Sequence, residues 1–447
     1  MPHALPPLHK LTFTEASELI RKNELTVLDY VEALIKRVEE RDPIVRAWAY
    51  FDPEHVRAQA RALDALPEDQ RGPLHGAPVG VKDVILTKDL PTQYRSPAFV
   101  SKVPIGMDAS CIMTLRASGA VIFGKTTTTE FATCQRGPET TNPHDPTRTA
   151  GGSSSGSGAA VGDYQVPFAL GTQTGGSTIR PGSFNGIYAL KGTWNAISRE
   201  GLKVYSLTYD TLGLYARSVA DLKLLGETFR LEDDVAPPAQ PFSLKGAKFG
   251  FFKTAVWPKA TEGTQKAWEK AKELLLEEGA EIEELELPEF DDMERLYRYI
   301  LAGEGRTAFL GDYLTHPDKL DPLIISHSKN DTGVTRAQQV EAYDKIGALR
   351  PRIDEIASRY AAIVTPSTTD EAVKLVEPDR FTGSAEFNCM WTALQVPVMN
   401  IPGFAGPSGC PLGLSLVAPR YHDQHLLHVG EAVGNVWASR GGWKSAL

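Results

Sequence analysis

The sequence predicts an α/β fold with a large, mostly parallel or mixed β-sheet core covered by helices on both faces. Three observations predict it. Short apolar runs of strand length alternate with longer stretches of helical periodicity. Several of those runs are apolar at successive positions, as strands buried on both faces are. The chain has 447 residues, 42% hydrophobic and 23% charged, enough for a large core in an ordinary globular protein.

From the N-terminus, Thr26 to Glu40 reads as an amphipathic helix. Thr26 suits the N-cap with Asp29 three residues on, and Leu28, Val31, Leu34, Ile35 and Val38 line one face. APVGVKDVI, Ala77 to Ile85, is a buried-strand pattern interrupted by one lysine, Lys82. A helical stretch containing Ile112 and Leu115 precedes the strand AVIFGKT. VPFALGT, Val166 to Thr172, is another buried strand. AKFGFF is a strand, Thr264 to Glu278 a helix, EIEELELP an edge strand, and AAIVTPS a further buried strand. There is no internal repeat. Residues from about Pro237 to Asp354 are more charged and more helical, and read as a cap or variable insertion within a single domain spanning 1–447.

The charge balance, 47 basic against 56 acidic residues for a net −9, argues against nucleic acid or an anionic membrane as the main partner. No apolar run approaches the roughly 20 residues that span a bilayer. The opening MPHALPPLHKLTF lacks the basic and apolar regions of a signal peptide, so a cytoplasmic protein is expected. Cys111, Cys134, Cys389 and Cys410 are scattered, without a C-x-x-C pair or a nearby histidine at metal spacing. They fit reduced thiols rather than a disulfide frame or a metal site. No cofactor is implied, and no heptad or other signal indicates an oligomeric state.

The stretch GGSSSGSGAAVGDYQVPFALGTQTGGSTIRP, Gly151 to Pro181, holds two clusters of small residues around an apolar run. Its composition suits a flexible linker, but an apolar strand follows at once. A phosphate cradle lacks the G-x-x-x-x-G-K-[ST] pattern. G-x-S-x-G centred on Ser154 matches a nucleophile elbow, yet NPHDPTRTAG, a polar proline-bearing loop, stands where the preceding strand belongs. Ser326 to Lys329 spells S-x-x-K without any K-T-G to follow. What remains is cooperation between Lys82, Ser153 and Ser177. Singly, each has an ordinary reading: a lysine that snorkels to solvent or meets Asp83, and serines in Gly-rich turns.

Together they resemble the amidase signature family of serine hydrolases. GVKDVI resembles its lysine motif, GGSSSGSGAAV its first serine motif, and GTQTGGSTIRP the second, which carries the nucleophile. LPTQYRS, GKTTTTEFA, GIYALKGTWNAISREGL, DTLGLYARSVAD, FNCMWTALQVPVMNIPG and CPLGLSLVAPRYHDQHLL follow in the family's order. The resemblance is weakest between about residues 230 and 355. It implies Ser177 as nucleophile, Lys82 as a neutral base, and Ser153, after a cis peptide, as proton relay. It also implies an oxyanion hole from the N–H groups of Thr174, Gly175, Gly176 and Ser177. Ser154 would support the lysine and Arg180 would brace the nucleophile loop. Gln173 stands where many members have aspartate, and Asp89 and Arg95 where glycine is common. The implied activity is hydrolysis of a small amide, anilide, ester or carbamate. The alternative is the glutaminase-type subunit of a tRNA-dependent amidotransferase, which needs a partner protein. Tyr297, Tyr299, Phe309 and Tyr313 are candidates for an apolar acyl or aryl pocket, though aromatics at such spacing more often belong to a core or helix interface.

Overall fold

In the computed structural model, which describes residues 6–133 and 136–447, eleven strands form one sheet. They are β1 (Trp48–Tyr50), β2 (Pro78–Lys82), β3 (Val121–Thr126), β4 (Phe168–Gln173), β5 (Tyr188–Lys191), β6 (Thr211–Ala216), β7 (Lys248–Phe251), β8 (Glu281–Glu284), β9 (Ala362–Pro366), β10 (Val398–Ala405) and β11 (Pro411–Val417). Across the sheet the order is β1-β3-β2-β4-β6-β5-β10-β11-β9-β7-β8. The sheet is mixed: β3-β2-β4 and β9-β7-β8 pair in parallel, and the strands between them run antiparallel.

The helices that matter for the site and core are α1 (Val27–Val45), α2 (Ser110–Ala117), α3 (Ser155–Gly162), α4 (Ile179–Phe184), α5 (Glu262–Glu277), α6 (Met293–Ala308), α7 (Arg336–Ala357), α8 (Glu386–Ala393) and α9 (Asp423–Arg440). Helix α1 is capped as expected: the Thr26 hydroxyl accepts from the Asp29 N–H at 3.0 Å. It continues past Glu40, and its buried face extends to Val45. Alternation along the central strands fills two cores. Val364, Met399 and Leu416 enter one with α5 and α9, while Ile363, Val398 and Val417 enter the other with α6, α7 and α8. Helices therefore cover both faces, the predicted α/β architecture.

The stretch read as a cap or insertion is partly built into the sheet. β7 and β8 lie within it and extend the parallel edge beyond β9, because Phe249 and Phe251 bury against the main core. β8 ends the sheet as the expected edge strand, and its glutamates keep that edge polar.

The sheet's topology also locates a site. β2, β3 and β4 are adjacent and parallel, with Lys82 opposite Thr126 and Val81 opposite Leu170. Their C-terminal ends, Lys82, Thr126 and Gln173, open together into the loops where α/β sheets place their reactive groups.

Candidate active site

Every position of β2 is buried, and Lys82 at its end has no exposed surface. Asp83 does not meet it. The Asp83 carboxylate pairs instead with Lys125 at 3.2 Å, so the ordinary reading of Lys82 as a partner of Asp83 does not hold. Successive strand residues point to opposite faces, which separates the two. The Lys82 side-chain nitrogen instead bonds two hydroxyls, Ser153 Oγ at 2.7 Å and Thr172 Oγ1 at 2.7 Å. Burial pushes its pKa well below the ordinary lysine value; Asp210 opposes that shift and Arg180 adds to it. An amine so placed favours its uncharged form and sits within proton-transfer distance of a serine.

Ser153 comes from the loop that enters α3, after a cis Gly152–Ser153 peptide. Glycine at 152 is a packing requirement: a Cβ there would lie 2.7 Å from Thr382 Cγ2. Helix α3 is wholly buried, and its run of glycine, serine and alanine lets it pass beneath β2 and β4. The Gly-Ser cluster is thus a tightly packed helix entry and not a linker.

Ser154 and Arg180 brace this loop in specific ways. The Ser154 hydroxyl accepts from Thr172 N and donates to Thr172 O, both at 3.2 Å. Ser154 therefore reaches Lys82 only through Thr172, a residue that no motif singles out. Arg180 donates Nε to the Gly152 carbonyl at 3.1 Å and Nη1 to the Gly383 carbonyl at 2.7 Å. It fastens the Ser153 loop to the start of α4. Burial brings its pKa down to about 10, so it stays a cation at neutral pH.

The loop from Thr174 to Ser177 presents its backbone in one sense. Its carbonyls are all held: Thr174 by the Tyr297 hydroxyl at 3.1 Å, Gly175 by Thr392 at 2.9 Å, Gly176 by the Arg180 N–H, and Ser177 by the Tyr215 hydroxyl at 3.0 Å. Among the described residues, no protein acceptor takes the N–H groups of Gly175, Gly176 or Ser177. A row of N–H groups left open in this way suits a developing oxyanion. A Cβ at Gly176 would stand 3.0 Å from Asn388 Nδ2, so α8 packs too close for a side chain there. Ser177 is 8% exposed, and its hydroxyl makes no hydrogen bond among the described residues.

Gln173 takes over the bracing for which aspartate is common. Its Oε1 accepts from the N–H groups of Thr178 and Ile179 at 2.9 and 3.0 Å, and its Nε2 donates to Thr392 at 3.0 Å. The amide does with one acceptor and one donor what a carboxylate does with charge. Asp89 is committed to Arg116 and His55, and Arg95 donates to the carbonyls of Arg136 and Gly137. Of the four candidate aromatics, Tyr297 reaches the N–H loop; Phe309 stacks on Phe131, and Tyr299 and Tyr313 face Arg295 and Lys329. Cys389 lies against Gly175, and beyond it a cavity of about 260 Å³ opens between Val256, Phe290, Met293 and Met390.

The Amidase family model matches residues 29–427. This chain belongs to the amidase signature family. A glutamyl-tRNA(Gln) amidotransferase subunit of Roseiflexus castenholzii is 30% identical, covering 98% of this chain and 98% of that protein. The corresponding protein of Streptomyces coelicolor is also 30% identical, with 97% of each chain covered. Among solved structures, an amidase is 28% identical with a TM-score of 0.84, covering 94% of this chain and 98% of that one. The peptide amidase of Stenotrophomonas maltophilia is 25% identical with a TM-score of 0.79, covering 96% and 98%. The amidase signature relatives thus span the whole fold, including its charged helical stretch.

Cys111, Cys389 and Cys410 are unpaired and buried, and Cys134 lies outside the described residues. Among the described residues no group of three His, Cys, Asp or Glu side chains is placed to hold a metal ion. No described helix is long and apolar enough to cross a membrane.

Proposed function

We propose that this amidase signature hydrolase is a free-standing amidase acting on a small, uncharged amide, anilide, ester or carbamate through an acyl-enzyme on Ser177. The observation that carries the reading is the Lys82–Ser153 contact at 2.7 Å by a fully buried amine, beside an N–H row that ends on Ser177. Neutral Lys82 accepts a proton from Ser153, and Ser153 takes one from Ser177 as its oxygen attacks the carbonyl. The oxyanion forms against the N–H groups of Thr174, Gly175, Gly176 and Ser177, each donor worth about 3 kcal/mol of barrier. The relay then reverses: Lys82 returns its proton through Ser153 to the leaving nitrogen or oxygen. Water, deprotonated along the same path, releases the acid.

The lining near the loop supports an uncharged acyl group. Tyr297, Ala385, Asn388 and Cys389 face Gly175 and Gly176. Arg180 is occupied by two carbonyls, and Asp210 by Thr174 and the Tyr205 N–H. Glutamine brings an ammonium and a carboxylate, each needing a buried partner of opposite sign. The second reading, a glutaminase-type subunit working with partner proteins, is favoured by the two amidotransferase relatives at 30% identity. A cytoplasmic setting fits the buried, unpaired thiols.

The test is a panel of amides, anilides, esters, carbamates and glutamine assayed on the purified chain. Turnover of neutral amides or anilides without glutaminase activity is expected. Glutamine hydrolysis alone, or activity only with added partner proteins, favours the second reading. If the cavity past Cys389 takes the acyl group, Val256→Trp at its partly exposed wall should discriminate by length. The expected loss in kcat/KM is about tenfold or more for a hexanoyl anilide and less than about twofold for the acetyl anilide. Equal losses on both substrates would remove the cavity from substrate binding.

A further inference from the structure

Asp210 stands immediately before β6, where it faces the residue that opens the N–H row. β4 and β6 are antiparallel with Gln173 opposite Thr211, so the next pair outward is Thr174 and Asp210. Side chains at that pair meet: Thr174 Oγ1 donates to Asp210 Oδ1 at 2.5 Å. The other carboxylate oxygen accepts from the Tyr205 N–H at 2.7 Å. Thr172, two residues before Thr174 and sharing its side of the chain, holds the Lys82 amine at 2.7 Å. One strand end therefore carries the base on one threonine and a buried carboxylate on the next.

We infer that Asp210 is a positioning residue of this reaction: it holds Thr174 at the head of the N–H row and places a carboxylate at the strand end that carries the Lys82 amine. The inference rests on reading Lys82 as the base. Two charged groups act on that amine, Asp210 from the β6 side and Arg180 from α4, while Ser153 and Thr172 are neutral partners and Asp83 is turned to Lys125. Around Asp210 stand the Arg199 guanidinium, bonded to its backbone carbonyl at 3.1 Å, the Tyr205 N–H and the Tyr297 side chain. Glu304 of α6 lies further out on the Ser206–Thr208 turn. Burial raises Asp210 to about 6, so it is ionised at neutral pH and its negative charge favours the ammonium form of Lys82. The sign follows. Removing the charge lowers the pKa of Lys82, and the neutral base persists to lower pH.

The experiment is the pH profile of kcat/KM for an activated anilide or ester with the full chain, comparing Asp210→Asn, Thr174→Val and Lys82→Met. Asp210→Asn should move the acid limb down by about one pH unit. Thr174→Val removes a donor that favours the carboxylate and should move the limb in the same direction, by less. Conservative Thr174→Ser should restore it. An acid limb unmoved in both Asp210→Asn and Thr174→Val overturns the inference, and either variant suffices if the other fails to fold. The profile of Lys82→Met separates the two readings. If it keeps the wild-type acid limb, Lys82 is not the base; if it loses the limb while Asp210→Asn leaves it unmoved, only the role of Asp210 falls.

Discussion

Ser177→Ala should lower amide and ester turnover by about 10⁴-fold or more, with little change in folding. The size follows from losing the acyl-enzyme route altogether, which leaves only binding and the N–H donors to favour attack by water. The serines of the Gly151–Ser155 loop are all engaged elsewhere. Ser153 is bonded to Lys82, Ser154 is locked to both backbone groups of Thr172, and Ser155 donates to the Gly151 carbonyl at 2.7 Å. The Ser177 hydroxyl makes no such bond among the described residues, so its removal breaks nothing in the fold. The check is steady-state kinetics beside a thermal melt. Residual turnover within about tenfold of wild type, with the melt unchanged, removes Ser177 from the reaction.

Lys82→Met should cost about 10²- to 10⁴-fold in kcat/KM, the range for removing a positioned base. Methionine keeps most of the volume of a fully buried side chain, whereas alanine would also open a cavity beneath Ser153. The pH dependence is the sharper readout. The amine accepts a proton only when uncharged, and its pKa lies well below the ordinary lysine value. Wild-type activity therefore falls as pH drops through that depressed value and is full above it. In Lys82→Met that limb disappears. A limb that survives the substitution belongs to some other group.

Much of this is legible in the residues. The six apolar runs read as strands are strands because each is buried, or ends the sheet with charge, for reasons visible in its own side chains. The helix from Thr26 is readable from its cap and apolar face. β1, β5, β6, β10 and β11 carry no such signal. β10 is interrupted by Pro402 and a bulge beside it, and β1 has three residues, so neither shows a clean local pattern. The region around residues 237–354 misleads differently: both of its strands are legible, but their place in the main sheet is not, because β7 pairs with β9 far along the chain.

At the site, Lys82, Ser153 and Ser177 stand out only through their motifs, since a lone lysine or serine has no signature. Thr172 and Asp210 escape notice because a threonine in a strand and an aspartate before one are ordinary residues until the β4–β6 register places them. Alternation along GTQT, which puts Thr172 and Thr174 on one side of the chain, is the available signal for these two. The motif suggests Arg180 as a brace, but its target is the Gly152 carbonyl, which only the folded chain brings near.

The most direct measurement is the pH dependence of fluorophosphonate labelling, with the modified peptide mapped by mass spectrometry in wild type and in Lys82→Met. The account predicts a single adduct on Ser177, forming faster as pH rises through one ionisation, and at least about a hundredfold slower once the amine is gone. Labelling of another serine, or of Ser177 at an undiminished rate without the amine, contradicts it.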